Sequence, residues 1–178
     1  MTDDEIVAGC LKGDSKAQRT LYDTYSRKMM GICMRYAGDH DEAQDILQDG
    51  FIKVFNKLGS YKGSGAFGGW IARTMVNTAL DHIRRNKQNK QALDIEEAEY
   101  LVPIDGTTLS TLGTKELMRL IQALPTGYRT VFNMFAIEGY SHKEIADELH
   151  ISENTSKSQF RKAKAYLRRS IPSREPTQ

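Results

Sequence analysis

Apolar residues recur along most of the chain at intervals of three and four, the spacing that places side chains on one face of an α-helix. Between Ala43 and Leu58 the pattern is clearest. Ala43, Ile46, Leu47, Phe51, Val54, Phe55 and Leu58 form one stripe, with Asp39 or Asp41 placed to cap its start and Gly59 to stop its end. Ahead of it, Ile6, Val7, Cys10 and Leu11 predict a short helix ended near Gly13, and Leu21, Tyr22, Tyr25, Met29, Ile32, Cys33 and Tyr36 a longer one ended near Gly38. A fourth helix is expected from Trp70 to Arg85, with Ile71, Met75, Ala79, Leu80 and Ile83 turned inward. No stretch alternates with period two for long enough to require a strand.

Between the third and fourth helices, Ser60 to Gly69 holds four glycines in ten residues. Each glycine costs a helix up to about 1 kcal/mol against alanine, so a loop is expected there. The loop also carries Tyr61, Lys62 and Phe67. Exposed aromatics and a cation on a mobile loop suit an unstacked base; the alternative is an ordinary connection whose aromatics fold back onto the core. Trp70, which begins the next apolar stripe, reads as a packing residue. From about Lys90 to Thr114 periodicity disappears, and this stretch predicts an extended linker. Beyond it the helical spacing returns in four short segments. Lys115 to Ala123 carries Leu117, Leu120 and Ile121 and ends before Leu124-Pro125; Tyr128 to Ile137 turns Val131, Phe132 and Phe135 inward. Ser141 and Glu144 form a capping box ahead of Ile145, Ala146 and Leu149, and Ser152-Glu153 opens a last helix running to about Ser170.

Charge sharpens this division. The formal net charge is only +2, but residues 1–91 carry 14 basic against 11 acidic side chains, residues 92–114 none against 5, and residues 115–178 carry 11 against 7. Two basic modules on an acidic tether predict a polyanionic partner. No apolar run is long enough for a membrane span. The acidic start Met1-Thr2-Asp3-Asp4-Glu5 is unlike a secretory signal, so a cytoplasmic protein is expected. Cys10 and Cys33 lack CxxC spacing and lie on apolar helical stretches, as small buried hydrophobes do. His40, His82, His142 and His150 have no metal-ligand spacing, and neither a GxSxG nucleophile nor a P-loop occurs. An enzyme, a cofactor, a bound metal and a small-molecule substrate are therefore not expected.

Ser141 to Arg169 has the form of a helix-turn-helix. An eight-residue helix ends at Leu149, the turn is His150-Ile151-Ser152, and a basic helix follows. On that helix Phe160, Ala163 and Leu167 share one face, and Asn154, Lys157, Ser158, Arg161 and Lys162 share the opposite one. A recognition helix uses this layout to set hydrogen-bonding groups on base edges while cations hold phosphates. Such turns often have glycine where His150 stands, because the backbone there takes positive φ, a region histidine tolerates better than β-branched residues.

Taken together, the two modules resemble the bacterial extracytoplasmic-function sigma factors of RNA polymerase. The resemblance rests on Leu21 to Tyr25, Ala43 to Phe51, Trp70 to Asn77 with Asp81 to Arg85, Leu124 to Arg129, Glu138 to Ala146 and Ile151 to Ser158. It implies an all-α chain of two small helical domains: an N-terminal one (1–91), a flexible acidic linker (92–114) and a C-terminal helix-turn-helix domain (115–171). It also implies core RNA polymerase as a partner, docked on the third helix through Asp45, Gln48, Asp49, Phe51 and Lys53. Family members commonly have a larger residue where Gly50 stands. The i, i+4 like charges Asp45 and Asp49 would be relieved by a basic partner surface.

Promoter DNA is the second partner so implied. Lys62, Ser64, Ala66 and Phe67 correspond to the element that captures a base flipped from the minus-ten region. Arg73, Asn77, Arg84 and Arg85 face the opened strand, with Lys87 and Lys90 extending a cationic patch for phosphates. Asn154, Lys157, Ser158, Arg161 and Lys162 would read the minus-thirty-five duplex. The resemblance further implies an anti-sigma factor as a partner, and a linker running near the polymerase cleft. It also implies a free monomer that binds promoter DNA poorly, because polymerase sets the spacing of its modules. The competing reading is a stand-alone helix-turn-helix regulator, which gives no part to the third helix and the glycine loop together.

Overall fold

The computed structural model describes residues 1–90 and 113–170. The expected linker therefore lies outside the described residues except for Gly113 and Thr114, as do Ile171 and the side chains of Lys87 and Lys90. Among the described residues every regular element is helical, and the chain divides into two compact units, Met1–Leu93 and Asp94–Gln178.

The first unit contains α1 (Asp3–Leu11), α2 (Ser15–Tyr36), α3 (His40–Lys57), a 3₁₀ turn (Leu58–Ser60) and α4 (Phe67–Lys90). The first three helices each start at a side-chain cap. Thr2 and Glu5 form a capping box on α1. Asp14 accepts from the Lys16 amide at 2.9 Å and Asp39 from the Glu42 amide at 2.8 Å. Gly13, at φ +77°, makes the tight turn between α1 and α2. The core is built from Ile6 and Cys10 of α1, Leu21, Met29, Ile32 and Tyr36 of α2, Ile46, Phe51 and Val54 of α3, and Phe67, Ile71, Met75 and Leu80 of α4. α2 packs against the other three helices, and α3 packs on α4.

The α3–α4 contact explains Gly50. A β-carbon there would overlap the sulfur of Met75, which is itself fully buried. Gly50 thus faces α4 rather than a partner, and its smallness sets how closely the two helices approach. α4 starts three residues earlier than its apolar stripe suggests, taking in Gly68 and Gly69. The expected loop is shorter for that reason: burial of Phe67 outweighs the poor helix propensity of the glycines that follow it. Gly68 lies under the Tyr25 ring, where a β-carbon would come within 3.1 Å of Cε1.

The second unit contains α5 (Thr114–Ala123), α6 (Thr126–Phe132), a π-helical turn (Asn133–Ile137), α7 (His142–Leu149) and α8 (Glu153–Ser170). Tyr128 to Ile137 is therefore not one α-helix. Its second half widens, with the Glu138 amide donating to the Asn133 carbonyl at 2.9 Å, and Gly139 reverses the chain at φ +79°. Leu120, Ile121, Leu124, Val131, Met134, Ile145, Ala146 and Ala163 form the core, whereas Leu117 is exposed and Phe132, Phe135 and Leu149 are half-buried. Arg129, buried, donates to the carbonyl of Gln122 at 3.0 Å, and the Tyr166 hydroxyl donates to that of Ala123 at 3.1 Å. They satisfy carbonyls that α5 leaves open where Pro125 prevents it from continuing.

Two glycine substitutions test this account of packing. Gly31 lies within α2 with no neighbour near its missing side chain, so Gly31→Ala should stabilise the protein by about 0.5–1 kcal/mol through helix propensity. Gly50→Ala carries the same propensity gain but should destabilise by about 1–3 kcal/mol, because its β-carbon would have to displace the buried end of the Met75 side chain. Chemical denaturation of both variants checks the opposite signs.

Candidate nucleic-acid interface

The turn between α7 and α8 is closed by His150 at φ +54°, the one non-glycine residue of positive φ among those described. The sequence-based expectation for this position thus holds. Ile151 donates its amide to the Ala146 carbonyl at 3.1 Å, and Ser152 starts α8 by accepting from the Thr155 amide at 3.0 Å. The seat of α8 is an aromatic and polar cluster. Phe160 lies 4.6 Å from Phe135 and 6.0 Å from Phe132; His142 stacks on Phe135 at 4.2 Å and 11°, with Phe160 edge-on at 6.0 Å. The His142 Nδ1 is hydrogen-bonded to the hydroxyl of fully buried Ser156 at 2.8 Å.

Fixing that face leaves the other in water. Asn154, Lys157, Arg161 and Lys162 are exposed and Ser158 is half-exposed. They recur at about one and two turns, so the helix offers amide and hydroxyl groups near its start and cations farther along. This is the grouping expected from the sequence.

In the first unit the expected residues separate. Arg73, Asn77 and Arg85 are exposed along α4, and Arg84 is half-buried, its guanidinium 3.0 Å from Asp81 Oδ1. Asp81 also receives Lys53 Nζ of α3 at 3.0 Å, and Asp49 of α3 meets His82 Nε2 at 2.8 Å. These two contacts stitch α3 to α4, so Asp49 has an internal partner as well as any external one. Asp45 and Gln48 are exposed. Phe51 is 3% exposed with its ring 4.8 Å from that of Tyr22, which corrects its placement on a docking face. Ile52, one position on, is 52% exposed and shares a face with Asp45 and Gln48. The clue was available in the sequence, since Ile52 falls outside the stripe of Ala43, Ile46, Leu47, Phe51 and Val54.

Lys62, Ser64 and Ala66 are exposed on the shortened loop. Phe67 is not. At 2% exposure it is enclosed by Tyr25, Tyr61 and Trp70, so of the two readings of the loop aromatics the second, folding back on the core, applies to it. Half-buried Trp70 stacks on Phe67 at 6.0 Å and 12°. Among the described residues no group of His, Cys, Asp and Glu is arranged to hold a metal ion, and no helix is long and apolar enough to cross a membrane.

With this geometry in place, residues 21–89 match the model of sigma-70 region 2 and residues 114–167 that of sigma-70 region 4. Relatives extend over nearly the whole chain. The RNA polymerase sigma-H factor of Pseudomonas aeruginosa is 28% identical, covering 95% of this chain and 93% of its own. The ECF RNA polymerase sigma-E factor of Haemophilus influenzae is 29% identical, with 96% of each chain covered. Among solved structures, the sigma factor RpoE of Bartonella quintana, in complex with the anti-sigma factor NepR, has a similar fold. The TM-score is 0.52 and the identity 19%, over 85% of this chain and 94% of that one.

His142 gives the helix-turn-helix a pH dependence. Burial foremost, and then the nearby Lys157 charge, hold its imidazole below the ordinary 6.5, with Glu153 opposing. The unfolded chain regains the ordinary value and so binds the proton more readily. Stability of the second unit is therefore complete above about pH 6.5 and declines as pH falls through that value toward the lower folded one. Urea unfolding followed by circular dichroism at about pH 7.5 and pH 5.5 should show this decline, and His142→Gln should reduce it. Fluorescence of Trp70, the chain's one tryptophan, reports on the first unit separately.

Proposed function

Since the chain belongs to the sigma-70 family, as an RNA polymerase sigma factor of the extracytoplasmic-function kind, we propose a distribution of its tasks over the faces described above. The chain is a transcription initiation factor that binds core RNA polymerase and directs it to promoters, rather than a stand-alone regulator. Sigma factors are not themselves enzymes, and the chemistry of RNA synthesis is the polymerase's.

The observation that supports the reading is that exposed polar and basic side chains are grouped on one helix of each unit. On α8 a firmly seated helix offers Asn154, Lys157, Ser158, Arg161 and Lys162 in one row. That row suits the major groove of the minus-thirty-five duplex, with base edges met near the helix start and phosphates farther along. On α4, the helix that follows an exposed glycine loop, Arg73, Asn77 and Arg85 are exposed, which suits a melted minus-ten strand with one base extruded into the loop at Lys62, Ser64 and Ala66. Core polymerase would dock on the solvent side of α3, where Ile52 supplies apolar area between the polar groups of Asp45 and Gln48. An anti-sigma factor, of the kind that accompanies the Bartonella protein, is a further proposed partner and would act by covering one of these faces.

Run-off transcription with core polymerase on a genomic promoter library tests the reading as a whole. Within it, Lys157→Ala or Arg161→Ala should weaken minus-thirty-five binding by about tenfold in the holoenzyme, the worth of one good base or phosphate contact, and leave polymerase binding unchanged. Loss of both activities together would indicate misfolding or a wrong assignment. Ile52→Asp should lower affinity for core polymerase by about fivefold or more, measured by fluorescence titration, with little change in thermal stability because the side chain lies in water.

A further inference from the structure

Tyr61 stands ahead of the loop residues that the family resemblance assigns to base capture, and its side chain reaches back into the loop. Its hydroxyl donates to the Gly65 carbonyl at 3.0 Å, so one side chain closes a turn over four residues. Within that turn Gly63 and Gly65 sit at φ +70° and +92°, where a β-carbon would be strained. The Tyr61 ring is itself fastened, 5.0 Å from Phe67 and 5.5 Å from Trp70. Phe67 meets the edge of Tyr25 at 5.6 Å, and the Tyr25 hydroxyl donates to Asp3 of α1 at 2.6 Å. A column of aromatic rings thus runs from α1, across α2 and the first turn of α4, to a carbonyl of the loop. Lys62, Ser64 and Ala66 remain exposed along the segment that this column ties down.

We propose that Tyr61 is a positioning residue for base capture, its hydroxyl holding the loop in the shape that receives the extruded base before DNA arrives. Glycine loses more backbone freedom on ordering than any other residue, so a loop with two of them would give up much binding energy if it were ordered only at the encounter. The Tyr61 hydroxyl, on a ring packed against the core, shifts that entropy loss from binding to folding. The inference rests on the reading of this loop as the base trap and adds to it what keeps the trap open.

The test compares wild-type, Tyr61→Phe and a variant with Lys62 to Ala66 replaced by glycine and serine, each as holoenzyme with core polymerase. Capture is read with single-stranded minus-ten oligonucleotides carrying each of the four bases at the extruded position, and duplex binding with a minus-thirty-five fragment. Tyr61→Phe keeps the ring and loses the hydroxyl. It should weaken capture by about three- to tenfold, the worth of one hydrogen bond, and narrow the preference among the four bases. Duplex affinity, polymerase affinity and thermal stability should not change. In the free protein the same substitution should speed amide hydrogen exchange at Gly65 and Ala66. Unchanged exchange, or unchanged capture and preference while the loop replacement abolishes them, would overturn the clip alone. A loop replacement without effect would overturn the base-trap reading and the clip with it. A uniform loss of every activity together with stability would reduce Tyr61 to a packing residue.

Discussion

A helix can bury only one stripe of itself, and in each unit the helix that would meet a partner is seated through a close contact on that stripe. For α3 the contact is Gly50 against Met75 of α4, an approach that no larger residue allows without displacing a buried side chain. For α8 it is Phe160 among Phe132, Phe135 and His142, with Ser156 pinned to the imidazole. What each helix presents to solvent follows by rotation. Once Ala43, Ile46, Gly50 and Val54 are turned inward, Asp45, Gln48 and Ile52 must face outward. Once Ser156, Phe160 and Ala163 are seated, Asn154, Lys157 and Arg161 form the outer row. Cores are close-packed, so these rotations are fixed to within a fraction of a turn.

The helices, their caps and the left-handed turn at His150 were legible because each is written in residues no more than about four apart. Ser141 with Glu144, Asp39 with the amide of Glu42, and His150 ahead of Ser152 are local signals, and local signals survive whatever packs on top. The misplaced residues have the opposite character. Phe51 falls within the buried stripe that periodicity marks and Ile52 outside it, but the family resemblance set Phe51 on the docking face; the Tyr22 ring that covers it, 4.8 Å away, comes from another helix. Phe67 resembled a loop aromatic because glycines surround it, and the ring that covers it from outside its own helix, Tyr25, lies on α2. Tyr61 was legible only as a loop aromatic; its bond to a backbone carbonyl was not, since any sequence would offer such a carbonyl. The π-helical turn at Asn133–Ile137 was equally silent, having the composition of an ordinary helix.

The acidic residues of the first unit show why net charge alone described it poorly. Asp49 and Asp81 are committed to the seam between α3 and α4, where they meet His82, Lys53 and Arg84. Asp14 and Asp39 cap helices, and Asp3 holds the Tyr25 hydroxyl. Partly exposed pairs of this kind contribute little stability each, about 0–1 kcal/mol, but they hold those charges at the seam. Arg73 and Arg85 remain exposed on α4, while the exposed side of α3 keeps Asp45. A basic face and an acidic one can therefore coexist on one small unit whose total charge is slight, since the α3–α4 seam absorbs the charges that would blur them. Phosphates repelled by Asp45 and drawn to Arg73 and Arg85 would be steered to α4 and away from α3. A basic protein surface would be steered the opposite way. On the proposed assignment of faces, the same unit would engage a nucleic acid and a protein at once, its two partners sorted by charge before either makes contact.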